Sequence, residues 1–226
     1  MNPLIVALDF ESADQARALV NRLGDRISFY KVGMELYAAA GMEFARELAG
    51  LGKNVFLDLK LYDIPETVKR AVAQISSAGV RFTTVHGSGS VMRAAVAGRG
   101  DSTLKLLAVT VLTSFDQDDL ADLGYACPLT DLVALRVRKA LECGMDGIVC
   151  SPLEARTVRR IAGPGAILVT PGVRSAGVGK GDQKRVATPS EALRDGADYL
   201  VIGRQITRAE DPAAEAERLL AEIRKP

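Results

Sequence analysis

A chain of 226 residues that is 48% hydrophobic and 25% charged, with no low-complexity segment, has the composition of a globular protein able to bury a sizeable core. Its 29 basic and 28 acidic residues leave a formal charge of +1, and no long block carries one sign, which argues against nucleic acid or an anionic membrane as the main partner. The apolar run Leu4 to Leu8 is far too short to span a bilayer and lacks the flanks of a secretory signal, so a cytoplasmic protein with one domain over residues 1–226 is expected.

Short runs rich in Val, Ile, Leu and Phe recur along the chain at intervals too long for hairpins. They are Leu4 to Phe10, Phe29 to Met34, Asn54 to Lys60, Arg81 to Gly87, Lys105 to Thr113, Gly147 to Ser151, Ala166 to Val173 and Tyr199 to Gly203. Several are apolar almost throughout, as parallel strands covered on both faces are. Between them lie amphipathic stretches such as Ser12 to Leu23, Pro65 to Ala78, Thr130 to Cys143 and Pro212 to Arg224. Ser12 reads as an N-cap, Pro65 as a first-turn proline, and Gly24, Gly79 and Gly144 as C-terminal stops. Eight strands alternating with helices predict an α/β fold, a (β/α)8 TIM barrel. The rival, a doubly wound open sheet, is weakened by the lack of a GxGxxG after the first strand. Cys127, Cys143 and Cys150 match no zinc or disulfide spacing and read as reduced structural residues.

In such a barrel the site lies at the C-terminal ends of the strands, which makes polar residues there the candidates. Asp9 is expected to end strand 1, Lys31 to lie within strand 2, Asp58 and Lys60 to end strand 3, and Asp63 to follow in the next loop. A two-residue period puts Asp58 and Lys60 on one face, with Lys31 and Asp63 as partners of opposite charge. His86, the lone histidine, is expected to end strand 4 and reads as a packed residue rather than a catalyst, and Thr113 to end strand 5. With one histidine and no carboxylate cluster free of lysine, no metal site is expected. The glycine-rich stretch after strand 7 carries Arg174, Lys180 and Gln183, and Gly203-Arg204 ends strand 8. Loops 7 and 8 of many barrels bind phosphate, and Arg174 and Arg204 fit that use. Lys180, Lys184 and Arg185 read equally well as solvated loop charges.

These residues resemble the orotidine 5′-phosphate decarboxylase family over nearly the whole chain. The resemblance rests on Asp58-Leu59-Lys60-Leu61-Tyr62-Asp63, the family's DxKxxD signature, which continues into Ile64-Pro65-Glu66-Thr67-Val68. It rests also on Phe29-Tyr30-Lys31-Val32-Gly33, Val109-Thr110-Val111-Leu112-Thr113-Ser114, Thr170-Pro171-Gly172-Val173-Arg174, Gly181-Asp182-Gln183 and Val201-Ile202-Gly203-Arg204. It implies cofactor-free decarboxylation of orotidine monophosphate to uridine monophosphate, the carboxy-lyase step that ends de novo pyrimidine synthesis. It further implies that Lys60 protonates C6, with Lys31, Asp58 and Asp63 completing a charged array. Asp9 and Lys31 are implied at the ribose, Thr113 at the base, and Arg174, Gln183, Gly203 and Arg204 at the phosphate. Asp63 and Thr67 are implied to enter the partner's site in a homodimer, and residues Ala176 to Lys184 to tighten around the phosphate. The metal-dependent sugar-phosphate branch of the superfamily carries an acidic metal ligand where this chain has Lys31, which argues against that branch.

Overall fold

The computed structural model describes residues 2–178 and 185–224. Eight strands, β1 (Leu4–Ala7), β2 (Phe29–Gly33), β3 (Asn54–Leu61), β4 (Phe82–Val85), β5 (Lys105–Val109), β6 (Gly147–Val149), β7 (Ile167–Thr170) and β8 (Tyr199–Ile202), pair in sequence order. All the pairs are parallel, and β1 against β8 closes the barrel. The expected (β/α)8 architecture is therefore the observed one.

Alternation along the strands sorts the core into two layers. Ile5, Ala7, Phe29, Phe56, Phe82, Leu107, Val109, Val149, Val169, Tyr199 and Val201 pack together inside the barrel. Their neighbours, such as Leu4, Val6, Tyr30, Val32, Val55 and Leu57, pack outward with the helices. Both faces of each strand are thus apolar, which is why the runs read as continuous rather than alternating. At the N-terminal end the interior is filled by rings. Phe29 and Phe82 lie 5.0 Å apart between centroids, and Tyr199 meets Phe82 edge-on at 5.3 Å. The Arg81 guanidinium sits over Phe29 and Phe82 and donates to Asn54 Oδ1 at 3.0 Å and Tyr199 Oη at 3.3 Å.

The helices among the described residues are α1 (Ala13–Leu23), α2 (Met34–Gly50), α3 (Pro65–Ser76), α4 (Gly89–Arg99), α5 (Gln117–Asp122), α6 (Leu129–Glu142), α7 (Ala155–Ala162), α8 (Pro189–Arg194), α9 (Arg204–Thr207) and α10 (Pro212–Arg224). Ser12 caps α1 by accepting from the Gln15 amide, and Gly24 at φ +55° ends it. Pro65 opens α3 as expected, but Ser77 is the C-cap there, and Gly79 turns the chain two residues later at φ +72°. None of the described helices is long and apolar enough to cross a membrane, and all three cysteines are free.

Several strands stop short of the predicted ends, whereas β3 runs one residue past its own, to Leu61. β1 ends at Ala7, two residues before Asp9, and β5 at Val109, four before Thr113. Backbone bonding runs one residue past the assigned ends, from the Leu8 amide to the Lys31 carbonyl and from the Thr110 amide to the Val149 carbonyl, and the side chains of Leu8, Val111 and Leu112 there are still apolar. Gly147, at the start of β6, is a place of tight backbone approach. A Cβ there would stand 2.2 Å from the Ile167 carbonyl oxygen and 2.8 Å from Leu107 Cδ2. Gly147→Ala should therefore lower stability by roughly 2–3 kcal/mol and Tm by about 5–10 °C. Gly50→Ala, whose Cβ meets nothing within 4 Å, should change it by no more than about 1 kcal/mol. Thermal unfolding of the two variants checks the contrast.

Candidate active site

The inward-facing series continues past the apolar layer into charge. Ile5 and Ala7 lead to Asp9, Phe29 to Lys31, and Phe56 to Asp58, each two residues on. Lys31 Nζ donates to Asp9 Oδ1 at 2.8 Å and lies 3.9 Å from Asp58 Oδ2, which also accepts from Lys60 Nζ at 3.0 Å. The four side chains form a row of alternating sign. Lys31 and Asp58 are only 11% and 14% exposed, a burial that is tolerable because opposite charges flank each.

Lys60 reaches this row by another route. Leu57 faces Thr83 and Leu61 faces Val85, so three residues of β3, Asp58 to Lys60, stand opposite Thr84 alone. Regular alternation, the expected reason for Asp58 and Lys60 sharing a face, is thus replaced by a bulge. Lys60 takes φ +50°, a left-handed conformation unique among the described non-glycine residues, at a cost of about 1–2 kcal/mol. Its amide donates to Thr84 Oγ1 at 2.8 Å, and the Thr84 hydroxyl donates to Asp58 Oδ1 at 2.9 Å.

A cavity of about 290 Å³ opens on the row. Asp9, Lys31, Asp58 and Lys60 line it together with Thr113, Arg174, Gly203 and Arg204, which the sequence had singled out. Asp63 and Thr67 are not among the lining residues. Asp63 is exposed, and its carboxylate accepts from the Ile64 amide at 2.6 Å. It makes no ion pair among the described residues, so it does not complete the array in its own chain. Thr67 is half-buried in the first turn of α3, and Tyr62 and Ile64 beside them are 69% and 66% exposed. Gln183, with the rest of 179–184, lies outside the described residues. Among the described residues no group of three or more His, Cys, Asp or Glu is placed to hold a metal ion.

The profile of the orotidine 5′-phosphate decarboxylase / HUMPS family matches residues 2–219. The chain belongs to this family. It is 54% identical over 220 residues to the orotidine 5′-phosphate decarboxylase of Nitrobacter winogradskyi, covering 97% of this chain and 92% of that one. The Methylorubrum extorquens protein of the same name is likewise 54% identical, over 97% and 94% of the two chains. The crystal structure of the Lactobacillus acidophilus orotidine 5′-phosphate decarboxylase superposes with a TM-score of 0.87 at 37% identity, covering both chains fully. An uncharacterized conserved protein from Geobacillus kaustophilus superposes at 0.85, also 37% identical, over 98% and 100% of the chains.

Sequence reasoning missed several residues that build the site in this member of the orotidine 5′-phosphate decarboxylase family. A Cβ on Gly33 would stand 2.8 Å from Lys31 Nζ and 3.1 Å from Asp9 Oδ1, so the glycine leaves room for that ion pair. Its place two residues beyond an inward lysine was the available signal. Arg185, for which a solvated loop charge is one reading of the sequence, is 12% exposed, pairs with the buried Glu154, and donates to the Leu112 carbonyl at 2.8 Å. It ties the segment after β7 to the one after β5. Ser175 is fixed from three sides. Its hydroxyl donates to Glu222 Oε2 at 2.6 Å and accepts from Gln205 Nε2 and Arg218 Nη2. No local pattern announces such long-range partners.

His86 packs its ring edge-on against Tyr62 and does not line the cavity, in keeping with a packed role. Burial first, then the positive charges of Arg136 and Lys60, hold its imidazole below the ordinary value of 6.5. The unfolded chain therefore binds a proton that the folded chain resists, and this contribution to stability is lost as pH falls below about 6.5. Between about pH 7.5 and 5.5, Tm should fall further for the wild type than for His86→Gln. Parallel Tm-against-pH curves would refute that.

Proposed function

We propose that this chain, as one catalytic domain over residues 1–226, converts orotidine 5′-monophosphate to uridine 5′-monophosphate and carbon dioxide without a cofactor, ending de novo pyrimidine synthesis. The carrying observation is the alternating row Asp9, Lys31, Asp58, Lys60 on a cavity that Arg174 and Arg204 also line. Family membership and the names of the relatives support the substrate.

In the reaction the bond from C6 to the carboxylate breaks, carbon dioxide leaves, and the electron pair stays on C6. An ammonium already held in place stabilises that localised charge more than it stabilises the spread carboxylate of the ground state. Lys60 is that ammonium. It then gives a proton from Nζ to C6 and regains one from solvent. Lys31 holds Asp58 from the other side and, with Asp9, meets the ribose hydroxyls. Asp58 stands by the departing carboxylate, Thr113 meets the base, and Arg174, Arg204, Gly203 and Gln183 take the phosphate. Binding energy at that remote phosphate serves the reacting carbon. An ammonium at position 31, seated between two carboxylates, favours this chemistry over metal-assisted sugar-phosphate chemistry.

The working unit in this reading is a homodimer, with Asp63 and Thr67 completing the partner's site. The exposure of Asp63, Tyr62 and Ile64 and the absence of an ion pair at Asp63 among the described residues support it. Action in the cytoplasm accords with three free cysteines.

Ultraviolet absorbance of orotidine monophosphate should show rapid conversion in excess chelator. The rate should fall roughly 10³-fold or more in Lys60→Ala. No conversion by the wild type, or loss in chelator that magnesium restores, would sink the reading. Mixing inactive Lys60→Ala and Asp63→Ala chains should recover up to about a quarter of wild-type turnover, because hybrid dimers hold one intact site. No recovery would remove the shared site.

A further inference from the structure

Four threonines on or beside the strands are buried to 1% exposure or less, and three of them use their hydroxyls in one way. Thr83 donates to the Leu57 carbonyl, Thr110 to that of Val149 and Thr170 to that of Tyr199, each a backbone group of the neighbouring strand. Thr84 differs. A backbone amide can only donate, so the Thr84 oxygen accepts from Lys60, and its own hydrogen is left for Asp58 Oδ1. One buried hydroxyl thus touches both the backbone of the lysine and the carboxylate of the aspartate.

We propose that Thr84 is a positioning residue for the decarboxylation, setting the bulged backbone of Lys60 and the rotation of Asp58 together. The inference rests on the reading that Lys60 and Asp58 do the chemistry. In the bulge three residues face one, and Thr84 Oγ1 takes the Lys60 amide that regular pairing there would have used. It thereby holds the lysine at φ +50°. On the carboxylate, both ammonium groups lie on Oδ2, at 3.0 Å and 3.9 Å, while Thr84 holds Oδ1. The hydroxyl is the counter-anchor that keeps Oδ2 turned to the lysines. Without it the amide and Oδ1 are both left unpartnered in a buried place, and each relaxes away from the geometry in which Nζ faces the reacting carbon.

The test compares Thr84→Val, which keeps the shape and removes the hydroxyl, with Thr84→Ser, which restores it, and runs Lys60→Ala alongside. The readouts are kcat and KM for orotidine monophosphate, affinity for uridine monophosphate, and Tm. The valine variant should lose about 10²-fold in kcat, as expected for a small misplacement of a catalytic group, with KM and product affinity within about threefold. The serine variant should stay within about fivefold of wild type. If the valine chain does not fold, Thr84→Ala is judged on the same ratio of kcat to affinity. A valine variant with kcat within about twofold of wild type overturns the proposal. So does a loss shared equally by kcat and product affinity that serine does not rescue, since that marks simple packing. Full turnover in Lys60→Ala would instead overturn the reading of the site itself.

Discussion

Asp58 accepts from an ammonium and faces a second on one carboxylate oxygen, and takes a buried hydroxyl on the other, with the mouth of the barrel arranged around it. A carboxylate this enclosed is stable only while those donors stay in place. That requirement reaches into the fold. Lys31 must face inward from β2, β3 must bulge to present Lys60, β4 must carry a hydroxyl opposite the bulge, and position 33 must lack a side chain. The charges are therefore specified by the backbone that carries them, and the backbone strain at Lys60 persists because its neighbours leave it no alternative.

The parts of this arrangement that depend on period two are legible in the sequence. Phe29 and Lys31, or Phe56 and Asp58, need only be counted two apart to be placed on one inward face. Lys60 is legible as a motif residue, but the reason it joins the row is not, because a bulge depends on the register of a partner strand. The overlong predictions at β1 and β5 have a similar source. Leu8, Val111 and Leu112 remain apolar beyond the ends of β1 and β5, and composition alone does not separate packing from strand pairing. Arg185 shows the converse. A charged residue beside a glycine-rich stretch resembles a solvated one until Glu154, 31 positions away by number, is brought against it.

The segment after β7 is held at both of its described ends. On one side the Arg174 amide donates to the Ala187 carbonyl and Ser175 is gripped by residues of α9 and α10. On the other, Arg185 is buried against Glu154 and the Leu112 carbonyl. Arg174 thus stands on a rigid footing beside the cavity, and in the proposed reading the phosphate would meet a guanidinium whose backbone is already ordered.

The ring-filled floor of the barrel also bears on traffic. Phe29, Phe82 and Tyr199, with Arg81 laid across the first two and bonded to the third, are buried and fill the barrel interior below the charged row among the described residues. The reaction chamber is a cul-de-sac. In the proposed reaction, nucleotide and carbon dioxide would therefore use the mouth at the C-terminal ends of the strands, where whatever covers the cavity bears on entry, water exclusion and release together.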